Sequence, residues 1–293
     1  MSIKSKPYLP YMLLLPFLLL FGFFYLYPVI ASFVISFLEY GPVRIKSVKG
    51  LNNYISLLTR DFLFQGSLKN VSLLLLTGGI LPHLLALPLA GFLTSKYIHE
   101  KTRSVFKAIL LIPYMISGVG LVMLYWFSAY DINAGTPTAF NRMILNFIPL
   151  NESYSVMTLL LNWKFLGWNI LLYYTGMIGI PKEYYESAYI EGVNAFQRLR
   201  KITIPLLSPI IFFAVSLTIL YSLQLFDEPF VFNGGYQGVM HNRDALTPAY
   251  YIMYIAFGPM SIFGKASAAT WILLLIILSA VGLLRMISRK QEL

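Results

Sequence analysis

The sequence predicts an all-α membrane protein: six transmembrane helices with a helix-turn-helix loop on the cytoplasmic side. Three observations predict it. Apolar residues make up 58% of the 293-residue chain and charged residues only 12%, where about a quarter of a soluble domain is charged. Mean hydropathy is +0.69, and the apolar residues gather into runs of the length, about 20 residues, that crosses a bilayer. One long segment between such runs, residues 180–209, is instead charged and helically patterned.

The charge balance agrees. Lys and Arg number 22 against 12 Asp and Glu, a net +10, and a membrane protein concentrates such an excess in loops beside anionic headgroups. No basic stripe suits nucleic acid. The absence of cysteine removes disulfides, thiolate metal sites and cysteine nucleophiles.

Taken in order, the spans are expected at 11–38, 71–95, 105–130, 156–180, 206–226 and 268–284. The first follows Lys4 and Lys6 and is too long and too aromatic for a cleaved signal peptide. Pro16 and Pro28 should kink or end it, and Pro82 and Pro88 should bend the second. Six spans put both termini on one side. With them in the cytoplasm, the inner segments hold Lys4, Lys6, Lys96, Lys101, Arg103, Lys107, Lys182, Arg198, Arg200, Lys201, Arg285, Arg289 and Lys290, thirteen of the 22 cations. The first outer loop dissents with Arg44, Lys46, Lys49, Arg60 and Lys69, but the short inner loops carry the rule. That loop, 39–70, has turn signals and should hold a short amphipathic helix around 54–58. The other long outer segment, 227–265, is rich in Gly, Pro and Tyr, and aromatics such as Phe230, Tyr236, Tyr250 and Tyr254 favour a folded lid over a bare connector.

The charged segment reads as helix, glycine turn, helix. Pro181 suits a first helical turn and Glu183 the positive end of the dipole. Tyr185, Ala188 and Tyr189 fall at i, i+3 and i+4, an apolar face. Gly192 sits where a helix ends in a left-handed cap. Asn194 with Gln197 makes a capping-box variant. Phe196, Leu199 and Ile202 then line one face, with Arg198, Arg200 and Lys201 on another, and Pro205 marks the return to the membrane. On these grounds alone the helices could lie on headgroups or dock in a groove of a partner.

The spacing Glu186-Ser187-Ala188, three residues, Gly192, nine residues, Ile202-Thr203-Ile204-Pro205 resembles the EAA loop of permease subunits of ATP-binding-cassette (ABC) importers. The longer string is similar to the carbohydrate branch, the maltose-type permeases, with small departures at Ser187, Glu191, Val193, Leu199 and Ile204. Phe106 to Pro113, the stretch Leu225 to Pro229 with Gly234-Gly235, and Phe263 to Ala268 extend the resemblance over nearly the whole chain, although Tyr236 stands where that branch has proline after the paired glycines. The resemblance implies a single permease domain over 1–293, with its core at about 68–287, a first helix at 1–38 and the EAA loop at 181–205, in a prokaryotic cell membrane with both termini cytoplasmic. It implies a second permease, two ATPase subunits and an extracytoplasmic solute-binding protein as partners, and a carbohydrate, of oligosaccharide type, as cargo. Tyr185, Glu186, Ser187, Ala188, Tyr189, Gly192, Ile202, Ile204 and Pro205 become the ATPase-coupling residues.

The chain has no catalytic or nucleotide chemistry of its own. The nearest approach to a P-loop, Gly264-Lys265, has Ala266 for Ser/Thr and Pro259 for the first glycine. ATP and Mg are therefore expected on the partner ATPases. His99-Glu100 begins a zinc motif that Arg103 ends, and three histidines without cysteine make no metal site.

Ionisable groups at membrane depth are functional candidates. Lys164, beside Asn162, Trp163, Trp168 and Asn169, is either a snorkelling lysine or part of a polar, aromatic lining, since sugars stack on Trp and bond to amides. Gln224, Asp227 and Glu228 are either a polar helix end or part of the pathway or of a receptor contact. His83 reads as a satisfied bundle histidine. Rivals remain at this level: an ABC permease for glycerol phosphate or a polyamine, an ion-coupled secondary transporter, which would need repeats and buried acids, and a membrane enzyme.

Overall fold

The computed structural model describes residues 9–42, 45–95, 98–129, 138–139, 142, 152–241 and 243–289, without side-chain detail at 9, 10, 45, 46, 152, 240, 241 and 289. Lys4, Lys6, Arg44, Lys96, Lys290 and the end of the third span at Tyr130 lie outside it. Among the described residues, five helices are long and apolar enough to cross a membrane: Tyr11–Ser36, Phe62–Leu93, Ser153–Ile178, Ala195–Phe232 and Phe263–Ser288. A further pair, Glu100–Met115 and Gly118–Ala129, passes the same test of length and composition only when taken together, and is bent by 97° at its break; counted as one span, the third in chain order, it makes six.

Proline explains the irregularities inside the spans. Three π-helical turns, Gly22–Leu26, Leu75–Ile80 and Leu199–Thr203, each end two residues before a proline, Pro28, Pro82 and Pro205. A proline cannot donate to the carbonyl four residues back and its ring crowds that carbonyl. Widening the preceding turn by one residue relieves the crowding. The helix therefore continues where a break was expected, so Pro205 does not begin the fifth span. That span runs unbroken from Ala195 through the second half of the charged loop. The second span likewise begins at Phe62 rather than Val71.

The true break is in the third span. Pro113 lies in the last turn of the first arm, and Ile116 is extended (φ −76°, ψ 134°), ending that arm; Gly118 opens the second. This break was not foreseen.

The chain forms two compact units. One is Met1–Asp61 with Ile252–Ile272, the other Phe62–Tyr251 with Leu273–Leu293. In the first, a two-stranded antiparallel hairpin, Leu38–Tyr40 with Ile45–Val48, follows the first span. It is a small exception to the all-α expectation. The expected amphipathic helix follows at Asn52–Thr59, burying Leu57, with Asn53 donating to the carbonyls of Ser36 and Leu38. Lys265 pairs with Asp61 at 2.5 Å, and Trp271 stands edge-on to Phe33, centroids 4.9 Å apart.

The second unit is built around the fourth span, Ser153–Ile178, which packs on the second, third and fifth. Small residues allow that approach, as membrane helix pairs require. At Gly167 a Cβ would run into the carbonyl oxygen of Leu110, so only glycine lets the third and fourth spans touch there. His83 is satisfied as expected: Nδ1 bonds the Tyr173 hydroxyl at 2.6 Å and Nε2 the Thr218 hydroxyl at 2.9 Å. Arg103 donates to the carbonyls of Leu93, Ser95 and Ile98, tying off the carboxyl end of the second span as cations do at helix ends. Residues 227–241 fold into short helices, and Tyr250 and Tyr251 are fully buried, Tyr250 donating to the Gly235 carbonyl at 2.5 Å. A bare connector would not bury these rings.

Candidate functional site

Two places collect the chemistry-bearing residues. The first is the loop at 181–205. Its first helix spans Lys182–Ile190. The Val193 N–H bonds the Ala188 carbonyl at 2.9 Å and the Gly192 N–H bonds the Tyr189 carbonyl at 3.1 Å. That is the paired closure of a Schellman motif, whose left-handed residue, Gly192, has φ +71°. Asn194 then opens the next helix with a complete capping box, reciprocal bonds with Gln197 of 2.9 and 3.2 Å. Pro181 is the residue before the helix rather than its first turn, and Glu183 stands in that first turn.

The predicted apolar face divides. Ala188 is buried, and Tyr185, half-buried, turns toward the start of the fifth span, where its hydroxyl bonds the Thr203 hydroxyl at 3.1 Å. Tyr189 is 76% exposed, Ile190 87% and Phe196 70%, while Glu186 and Ser187 are exposed beside them and Ile202 and Ile204 are half-buried. A concavity of about 650 Å³, lined in part by Tyr184, Ser187, Ala188 and Ile202, lies between the two helices. Ile190 fell outside the expected faces, whereas Tyr189 and Phe196 lie on them and are nonetheless exposed; an apolar pattern marks a face that can be covered, not what covers it.

The second place lies within the spans. Lys164, from the fourth, donates to Glu228 Oε1 at 2.8 Å and to the Tyr221 hydroxyl at 2.5 Å, and that hydroxyl donates to the same Oε1 at 2.7 Å. The pair is buried, side chains 9% and 2% exposed. Lys164 therefore does not snorkel, because a carboxylate and a phenol satisfy it in place. Glu228 opens the short helix Asp227–Phe232 that follows the fifth span. Its carboxyl group lies so close to Gly118 that a Cβ there would meet Glu228 Cδ at 2.6 Å.

A groove of about 320 Å³ adjoins this cluster, lined by Tyr114, Phe165, Trp168, Thr218, Tyr221 and Gln224 among others. Tyr114 and Trp168 stack, centroids 4.4 Å apart and planes 12° from parallel. Phe165 meets Tyr221 edge-on at 4.8 Å. The structure thus brings Lys164, Glu228 and Gln224 to one neighbourhood but not the other predicted pathway residues. Trp163 is half-exposed, Asp227 is exposed, and Asn169 is buried with neither amide atom partnered. Tyr114, Tyr221 and Gly118 were missed. Nothing local marks them, since an apolar span normally contains such residues. Among the described residues no cluster of His, Asp and Glu could hold a metal ion.

The family model for the inner-membrane component of binding-protein-dependent transport systems matches residues 83–292. The chain belongs to that family. It is 30% identical to the arabinooligosaccharide permease AraP of Bacillus subtilis over 95% of this chain and 88% of that one. It is 30% identical to the glucose import permease GlcT of Saccharolobus solfataricus over 88% of each chain. In fold it matches a bacterial ABC transporter for the import of alginate, with TM-score 0.74, 22% identity and 97% and 96% of the two chains covered. A second structure of a bacterial alginate ABC transporter, bound to its pentasaccharide-loaded periplasmic protein, matches with TM-score 0.75 and 21% identity over 97% and 95%.

Proposed function

We propose that this chain is the permease through which an ABC importer moves a carbohydrate, of oligosaccharide type, across the cytoplasmic membrane of a prokaryote. The observation that carries this reading is the likeness over nearly the full length to permeases named for sugars. The groove supports it. Stacked Tyr114 and Trp168 offer apolar ring faces, and the exposed Gln224 offers an amide beside them, the mix that binds a sugar through its C–H face and its hydroxyls.

The energy comes from partners. A second permease, two ATPase subunits that bind ATP and Mg, and an extracytoplasmic solute-binding protein complete the transporter, with both termini of this chain in the cytoplasm. The 181–205 loop is the lever. Tyr189, Ile190 and Phe196 seat in an apolar groove of the ATPase, with Glu186 against a basic residue there. Tyr185, Ala188, Ile202, Ile204 and Pro205 hold the loop's shape, and Gly192 supplies its turn. The unbroken helix from Ala195 into the fifth span supports this mechanism, because a displacement of the loop passes along a continuous rod into the wall of the groove. The spans then alternate between inward- and outward-facing arrangements.

Glu186→Arg with Gly192→Pro tests the lever: the ATPase should no longer co-purify, or sugar-stimulated hydrolysis should vanish, while membrane insertion survives. Normal assembly and uptake of labelled arabinotriose would sink it. Uptake that persists without any ATPase would overturn the importer reading itself.

A further inference from the structure

We propose that Lys164 and Glu228 are positioning residues for transport. The buried pair fixes the Tyr221 hydroxyl at the groove and the break of the third span at Gly118, so that a solute in the groove acts on that span through Tyr221. This rests on the groove being the solute's route.

Stability alone does not account for the pair. A buried ion pair is often no more stabilising than apolar residues of similar volume, whereas losing one partner strands a charge. What such a pair does supply is a defined arrangement, and here it joins separate elements at one atom. Glu228 Oε1 accepts from Lys164 of the fourth span and from Tyr221 of the fifth. The same carboxyl group, both oxygens included, lies against Gly118, where the second arm of the bent pair begins and where a helix start favours negative charge. That arm packs on the helix carrying Glu228, Trp126 stacking on Phe232 at 5.5 Å and Tyr125 lying 6.1 Å from it. Shifting Glu228 therefore shifts the arm.

Tyr221 belongs to both structures. Its ring lines the groove, and its hydroxyl is held by Lys164 at 2.5 Å and Glu228 at 2.7 Å. A sugar pressing on that ring strains two hydrogen bonds to a buried pair. Packed side chains and hydrogen bonds carry such a strain to the elements they join.

The test uses the complete transporter in proteoliposomes, reading ATP hydrolysis with and without arabinotriose. Lys164→Met/Glu228→Gln leaves no unpaired charge and should assemble in natural yield. Because the pair restrains the spans, the double variant should hydrolyse ATP without sugar at least about fivefold faster, the lower end of a typical coupling between sites. Tyr221→Phe keeps the ring, loses the hydroxyl and should move the basal rate the same way by less. A purely structural pair would change yield and leave the rate per complex untouched. A double variant that assembles with the natural basal rate overturns the proposal. If it does not assemble, an unchanged rate in Tyr221→Phe overturns it instead. A natural transporter that arabinotriose fails to stimulate, alongside a raised basal rate in the variants, counts against that sugar and supports the pair.

Discussion

The first and fourth spans are both 26 residues long, yet they solve opposite problems. The first, Tyr11–Ser36, is the more apolar, and none of its most apolar stretch is buried within the chain; in the fourth, Ser153–Ile178, that share is 61%. A helix apolar on every side is satisfied by lipid or by another apolar surface. One that carries Asn162, Lys164 and Asn169 must turn them toward protein, because a charged or amide group facing hydrocarbon is costly. Hydropathy thus ranks these spans in reverse order of burial. The polar residues, not the apolar ones, show which span is the centre.

Matched substitutions can break this contrast. The largest effect is expected from Gly167→Leu, which drives a side chain into the Leu110 carbonyl and should abolish recovery of folded permease. Gly22→Leu, with nothing within 4 Å of its Cβ, should leave recovery unchanged. Size-exclusion profiles in detergent decide this, and equal losses in both would end the contrast. Next is Lys164→Met alone, which strands the Glu228 carboxylate and should cost about 3–5 kcal/mol, read as a lower unfolding temperature that the double variant with Glu228→Gln recovers in large part. His83→Leu removes the bonds to Tyr173 and Thr218 and should cost about 1–3 kcal/mol by the same measurement. Asn194→Ala deletes a capping box outside the apolar core and should cost about 1 kcal/mol, seen as faster proteolysis within 181–205. Smallest is Phe23→Leu on the exposed face of the first span, expected within about 0.5 kcal/mol. A larger drop there would mean that this span is held by more than its own apolar surface.

The loop at 181–205 was legible because its signals are local. A glycine at a left-handed cap, and Asn with Gln three residues on, act over a few residues and keep their meaning in any fold. The prolines were legible as disturbances but not in their outcome. Prolines that follow a π turn, as Pro28, Pro82 and Pro205 do, and one that precedes a break, as Pro113 does, look alike as letters in an apolar run. Phe62 to Asn70 read as loop because Gln65, Lys69 and Asn70 dilute the hydropathy there. Asn70 is in fact buried, donating to the carbonyls of Arg243 and Leu246 more than 170 residues away.

By itself the sequence determined that this is an all-α membrane protein, where along the chain its charged loop falls and how that loop turns, and which family it belongs to. Each follows from hydropathy or from contacts between near neighbours in the chain. Only the tertiary structure decided that Lys164 meets Glu228, 64 residues on, that the third span bends by 97°, and that Tyr114, Trp168 and Tyr221 share a groove. A buried charge needs a partner, but its own neighbourhood does not say which. That choice belongs to the packing of helices, where close approach at a residue such as Gly167 selects which faces meet.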